Sequence, residues 1–148
     1  NYDYIRNDKQ KKVNIVYLDN KIKKSTVYPE FDKTKLVEIN KNDLIDTIDP
    51  ATFFLNMLYY ELTKNCTHNF KIFDGKRRYN IVFLKKVITE TEIICEAQQI
   101  KIGGYKKNKL KDVDTSDYIY VKYNKSDYSF REYEAKTGNI IIKIIETS

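Results

Sequence analysis

The sequence predicts a mainly β protein: antiparallel sheet with one packed α-helix over about residues 50–64. Three observations predict it. Apolar and polar residues alternate in stretches such as Tyr118–Asn124, and tight-turn signals such as Asp74-Gly75 separate those stretches. After Asp49-Pro50 the pattern switches once, to apolar residues three and four apart. The 148 residues suit one domain or two very small ones, read as a single β-rich domain, 1–148, and exclude a large multidomain enzyme. A hydrophobic share of 41% with 14% aromatics excludes a wholly disordered chain. Four glycines and two prolines exclude collagen-like repeats and most glycine-rich nucleotide loops.

Val13–Leu18 and Ile22–Tyr28 read as strands joined at Asp19-Asn20-Lys21, a short hairpin turn. Pro29 interrupts the second strand, Leu36–Ile39 can add a short one, and Asp43–Asp46 suits a loop or a brief helical turn. Asp49 can accept the free N–H groups of a helix start, and Pro50 fits the first helical position because its missing donor costs nothing there. Phe53, Phe54, Met57, Leu58 and Leu62 then form one buried helical face. An irregular connection leads to the Asp74-Gly75 turn and a strand starting near Arg78 or Tyr79. Strands follow at Glu92–Ile102, Tyr118–Asn124, Tyr128–Ala135 and Ile140–Ile145, the last two joined through Thr137, Gly138 and Asn139. Ile119, Val121 and Tyr123 share one face, and Phe130, Ile140, Ile142 and Ile144 extend the same type of pattern.

The formal charge of +6 comes from abundant lysine in a chain also rich in Asn, Ile and Tyr, all with A/T-rich codons, so base composition accounts for much of it. Only four residues are arginine: Arg6, Arg131 and the adjacent Arg77 and Arg78, whose planar guanidinium groups lysine cannot replace. Lys106, Lys107, Lys109 and Lys111, followed by Asp112, Asp114 and Asp117, read as a solvated loop rather than a phosphate site. Tyr118, Tyr120 and Tyr123 beside Lys122 and Lys125 are raw material for base stacking. Alternation puts Tyr123 on the opposite face, which argues against nucleic acid as a partner. No apolar run approaches the roughly 20 residues of a transmembrane helix. The opening NYDYIRNDKQKK has no apolar core of a secretory signal.

Cys66 and Cys95 are the two cysteines. They suit either buried free thiols or, preferably, a disulfide. Closing a loop of about 30 residues would remove roughly 3.5 kcal/mol of unfolded-state freedom and favour an oxidising compartment. Cys66 with His68 lacks the second histidine that a metal or nucleophilic assembly would need. The acid pairs Glu90 and Glu92, and Glu132 and Glu134, default to solvated or ion-paired side chains. No serine elbow, P-loop or metal-hydrolase motif is present, so no catalytic residue, metal or cofactor is assigned, and a novel enzyme ranks third among the readings.

The run IDPATFF, then Cys66, then IFDGKRRYNIVF, then Cys95 and KIGGYKK resembles an uncharacterised family of exported proteins of Gram-negative bacteria, best represented in alphaproteobacteria. The matching positions are Asp49, Pro50 and Thr52; Cys66; Phe73, Asp74, Gly75, Arg77, Arg78 and Tyr79; Cys95; and Gly104 and Tyr105. Lys76 departs mildly from the arginine-rich family core. The resemblance implies a periplasmic, predominantly β protein, a curved sheet or open barrel similar to bacterial lipid or lipoprotein carriers. It also implies that this chain is the central and C-terminal part of a longer exported protein with a signal. The expected function is an envelope-associated binding or scaffold module that holds a lipid, a lipoprotein or a partner segment. The alternative is a structural subunit of a larger envelope or surface assembly. Arg77 and Arg78 are the expected ligand or partner contacts, and Asp49, Pro50, Asp74, Gly75, Tyr79, Gly104 and Tyr105 the structural motif.

Overall fold

The computed structural model describes residues 2–6, 9–63, 65–110, 117–137 and 140–146. The chain is mainly β, 54% strand, with a strongly curved antiparallel six-stranded half-barrel sheet and one main helix. The first sheet has the order β1 (Tyr2–Arg6), β2 (Lys9–Leu18), β3 (Lys21–Tyr28). The second runs in chain order through β4 (Phe70–Phe73), β5 (Arg78–Ile88), β6 (Glu92–Gly103), β7 (Tyr118–Asn124), β8 (Phe130–Thr137) and β9 (Ile140–Ile145). Helix α1 spans Pro50–Met57. Two compact units emerge, one of Asn1–Ala51, Lys71–Tyr79 and Lys101–Asp112, the other of Thr52–Phe70, Asn80–Ile100 and Val113–Ser148.

In the first unit the β2–β3 hairpin turns at Asp19 and Asn20, with φ of 49° and 59°, the left-handed pair of a tight hairpin turn. Leu36 forms an isolated bridge with Lys106, and Val37 exchanges backbone hydrogen bonds with Tyr105 and Gly104 (2.8 Å each). The stretch expected as a short strand is therefore a single pairing point. Lys41–Leu44 is one 3-10 turn. Asp49 caps α1 by accepting the Ala51 N–H at 2.9 Å.

In the second unit the core forms on the inner face of β6, β7 and β8. Ile93, Cys95 and Ala97 stand opposite Tyr123, Val121 and Ile119, and all six are buried. Val121 and Tyr123 are 0% exposed. Helix α1 covers this face: Phe53 meets Phe70 edge-on (5.3 Å), Phe54 meets Tyr133 (5.5 Å), and the Tyr123 hydroxyl donates to the Met57 carbonyl (2.8 Å). Cys66 and Cys95 form a disulfide, with Cα atoms 5.3 Å apart.

Several features differ from the expected ones. The helix stops at Met57 instead of reaching about residue 64, because the amides of Leu58 and Tyr59 bond only three residues back and Tyr59 is drawn into a bridge with Ser129. A 3-10 turn, Tyr60–Thr63, follows. Strand β8 starts at Phe130 rather than Tyr128, whose φ of 60° belongs to a turn. Strand β1, the Lys9–Lys12 start of β2 and β4 are present beyond the expected strands: Lys9–Lys12 has no alternation, and β1 and β4 alternate over only four or five residues. Ile142 and Ile144, expected to extend the buried pattern, are 53% and 37% exposed on β9, the edge strand of the sheet. The Gly138-Asn139 turn and residues 111–116 of the Lys/Asp run lie outside the described residues; Lys107–Leu110 is a single helical turn with exposed lysines.

A candidate binding groove

The site begins with the β4–β5 turn. The Asp74 carboxylate accepts the backbone N–H of Lys76 (2.9 Å) and of Arg77 (2.5 Å), which closes the turn from within. Gly75, at φ 86°, follows Asp74 because the chain passes within reach of Val13 and Val27: a Cβ there would lie 2.7 Å and 2.9 Å from their methyl groups. Gly104 makes the second close approach. At φ 77°, a Cβ would overlap the Lys76 carbonyl and lie 2.8 Å from the Arg77 Cα. The two halves of the sequence pattern, Asp74–Tyr79 and Gly104-Tyr105, thus meet in one corner of the first unit. Asp49 and Pro50 act separately, at the start of α1.

The two arginines diverge there. Arg78 is 3% exposed; its Nε donates to the Asp43 carbonyl (2.5 Å) and its Nη1 to the Tyr79 carbonyl (2.6 Å). Burial pushes its pKa down, partly countered by the charge of Asp43. In this position the guanidinium ties the 3-10 turn at Lys41–Leu44 to the start of β5, a role that needs several rigid donors. Arg77 is exposed, with its guanidinium 5.5 Å from the Tyr105 ring centre and the Lys101 ammonium 6.0 Å from the same ring. Tyr79 is half-buried.

Beside this corner, wholly within the first unit, an open groove of about 750 Å³ runs between β3, the 31–44 segment and the β4–β5 turn. Its floor and walls include Val27, Phe31, Leu36, Ile39 and Phe73. At the rim the Phe31 ring carries two ammonium groups, Lys76 at 4.9 Å and Lys33 at 6.0 Å. Apolar walls with a cationic rim suit an amphiphile with an anionic head. Of the residues expected to make contacts, Arg77 is at the surface and Arg78 is within the fold. Phe31, Lys33, Leu36 and Ile39 escaped sequence reasoning because they lie in a segment without periodicity, brought to the groove by the Val37–Tyr105 pairing.

The remaining candidates are occupied otherwise. His68 packs edge-on against Phe70 (4.5 Å). Glu132 and Glu134 share the outer face of β8 with Lys143 at 3.2 Å and 3.4 Å, and Lys122 lies 3.0 Å from Glu132. Burial pushes Glu132 up, but the two lysines bring it below the ordinary carboxylate range; a hydrogen bond from the Tyr118 hydroxyl (2.6 Å) chiefly lowers Glu134. Glu92 pairs with Arg131 at 3.0 Å, whereas Glu90 sits in the β5–β6 turn. Among the described residues no group of three or more His, Cys, Asp or Glu could hold a metal ion, and no helix is long and apolar enough to cross a membrane. No protein-family model, curated protein or solved structure matches the chain.

Proposed function

We propose that this chain is an envelope-associated binding module of the periplasm, a member of the exported family its motifs resemble, that holds an amphiphilic ligand in the groove of the first unit. The observation that carries the reading is the pairing of an apolar groove of about 750 Å³ with Lys33 and Lys76 over Phe31 at its rim. That volume lies within the range of ligand pockets, about 300–1,000 Å³. An acyl chain would lie along Val27, Leu36 and Ile39, and its carboxylate or phosphate would meet the lysines, with Arg77 nearby in sequence. The Cys66–Cys95 disulfide supports an oxidising compartment.

Native mass spectrometry of the protein isolated from its own envelope, followed by titration of the delipidated protein with oleate, tests this. Co-purified lipid and saturable oleate binding, weakened about tenfold or more by Lys33→Glu with Lys76→Glu, are expected. Absence of both would overturn it. The second reading, a structural subunit of a larger envelope assembly, is favoured by the exposed isoleucines of edge strand β9. In the same spectrum it would appear as a stoichiometric protein partner and no lipid.

A further inference from the structure

The second unit carries another hollow, independent of the groove. Between β7 and β8 the chain turns through Lys125–Asp127 and places Tyr128 in the left-handed region at φ 60°, a conformation that bulky residues rarely adopt. The turn is held from several directions. Asn124 N–H donates to the Ser129 carbonyl (2.9 Å), and Tyr128 N–H to the Asn124 carbonyl (3.0 Å). Asp127 accepts both the N–H (3.0 Å) and the hydroxyl (2.7 Å) of Ser129. The outcome of this backbone geometry is the placement of one ring. Tyr128 lies flat on Tyr60, 5.1 Å between centres and 6° between planes, and is still 48% exposed.

Behind that ring stands a continuous aromatic support. Tyr60 is buried and meets Tyr123 at 5.1 Å, and Tyr123 meets Phe130 at 6.4 Å. An exposed aromatic face is thus backed by the core. Adjoining it is an open hollow of about 350 Å³ whose polar walls are Glu61, Asn65, Lys86 and Lys125. Asn65 is positioned by the same device as the disulfide: it and Cys66 are consecutive left-handed residues, at φ 60° and 64°, and Cys66 is bonded to Cys95.

The chemistry selects among flat ligands. A quaternary ammonium would meet Lys125 and Lys86, whose ammonium already lies 5.4 Å from the Tyr60 ring centre. A nucleotide would bring its phosphates against Glu61, and Lys125 is already directed to the Thr89 carbonyl at 3.3 Å. A neutral pyranose fits both parts. The C–H groups on one face of the sugar pack on an aromatic ring, and its peripheral hydroxyls both donate and accept, matching a carboxylate, an amide and ammonium groups. We propose that Tyr128, supported by Tyr60, and the adjoining hollow form a saccharide-binding site for a neutral pyranose unit.

Isothermal titration of the intact, disulfide-bonded chain with cellotetraose, chitotetraose and mannotetraose tests the site, with an oligothymidylate as counter-probe. Saturable binding of at least one saccharide is expected. Tyr128→Phe should leave it within about twofold, and Tyr128→Asn should weaken it about tenfold or more, the scale of a lost aromatic anchor. Asparagine tolerates the left-handed backbone, so the turn is kept while the ring is removed. Tyr28→Ala, an exposed tyrosine on β3, should change nothing. Failure of all three saccharides to bind, binding insensitive to Tyr128→Asn, or Tyr128-dependent binding of the oligothymidylate alone would each overturn the proposal.

Discussion

In the first unit, beside the fully enclosed Ile72, backbone runs close against neighbouring groups, at Gly75 against Val13 and Val27 and at Gly104 against Lys76 and Arg77. In the second the fully enclosed groups are side chains packed together, around Met57, Cys95, Val121 and Tyr123. The difference bears on where ligands can go. Close backbone approach and the enclosed Arg78 hold the corner of the first unit, which leaves Phe31, Lys33 and Lys76 to edge a groove. Dense side-chain packing in the second unit closes the core and makes a rigid support for a ring at its surface. The first arrangement suits an elongated ligand and the second a small flat one.

The largest expected effect tests the second unit. Replacing Cys66 and Cys95 together by serine should cost about 3.5 kcal/mol in urea unfolding, from the unfolded-state freedom that the crosslink removes. A loss near zero would show that side-chain packing alone holds this unit. Mass analysis without reductant should also show the two-hydrogen deficit of the bonded pair.

Gly104→Ala probes the first unit, with an expected loss of about 3 kcal/mol from a Cβ that overlaps the Lys76 carbonyl at a left-handed backbone position. A tolerated alanine would break the distinction between the two units.

Alkaline titration compares the units in one measurement. Burial pushes Tyr133 in the second unit up to about 12; Tyr17 in the first also rises to about 12, through burial and then the charge of Asp49. The folded state therefore favours the neutral phenol. This contribution is fully present below the ordinary tyrosine pKa of about 10 and is lost as pH rises through about 12. Tyr133→Phe and Tyr17→Phe should each remove a part of that alkaline loss on the order of 1 kcal/mol at about pH 11, since both rings are half-buried and both phenols rise to about 12. Unfolding free energies measured at pH 8 and about pH 11 separate the two contributions, and equal alkaline loss in both variants and the parent would refute the assignment.

The smallest effect is on the outer face of the sheet. Glu132→Gln should cost less than about 1 kcal/mol, since its partners Lys122 and Lys143 are partly solvated. Because the Glu132 carboxylate is held below its ordinary range, that contribution is present at neutral pH and fades as pH falls through the folded value. Acid titration of the variant beside the parent measures the difference.

What could be read in the sequence follows from what each element buries. Tyr118–Asn124 alternates because one face of β7 is core and the other is wet, and its limits match the expected strand. Asp49-Pro50 marks the helix start because a cap acts within a few residues. The helix end was illegible: it depends on Tyr59 pairing with Ser129, a partner distant in sequence. The start of β2, Lys9–Lys12, is polar and charged, so periodicity is silent there, and the alternation of Tyr2-Asp3-Tyr4 in β1 is too short to mark a strand. The motif Asp74–Tyr79 was visible as a turn with two arginines, but which arginine would be enclosed depends on Asp43, far away in the chain. The groove residues and the Tyr60–Tyr128 stack share that difficulty, since each is assembled by tertiary pairing rather than local pattern.

Strand β9 has one more consequence, for how the protein must be handled. Ile141, Ile142, Ile144 and Ile145 face solvent along a sheet edge, and a lone basic side chain on such a strand ordinarily keeps other edges away. Here that side chain, Lys143, lies against Glu132 and Glu134, and with Lys122 the four charges sum to neutrality. The edge therefore presents a greasy ribbon whose gatekeeper is electrically silent near pH 7. Both carboxylates are held below the ordinary carboxylate range, so mild acid leaves them ionised and the gatekeeper silent, and dilution rather than slight acidification is the condition under which this chain should stay dispersed.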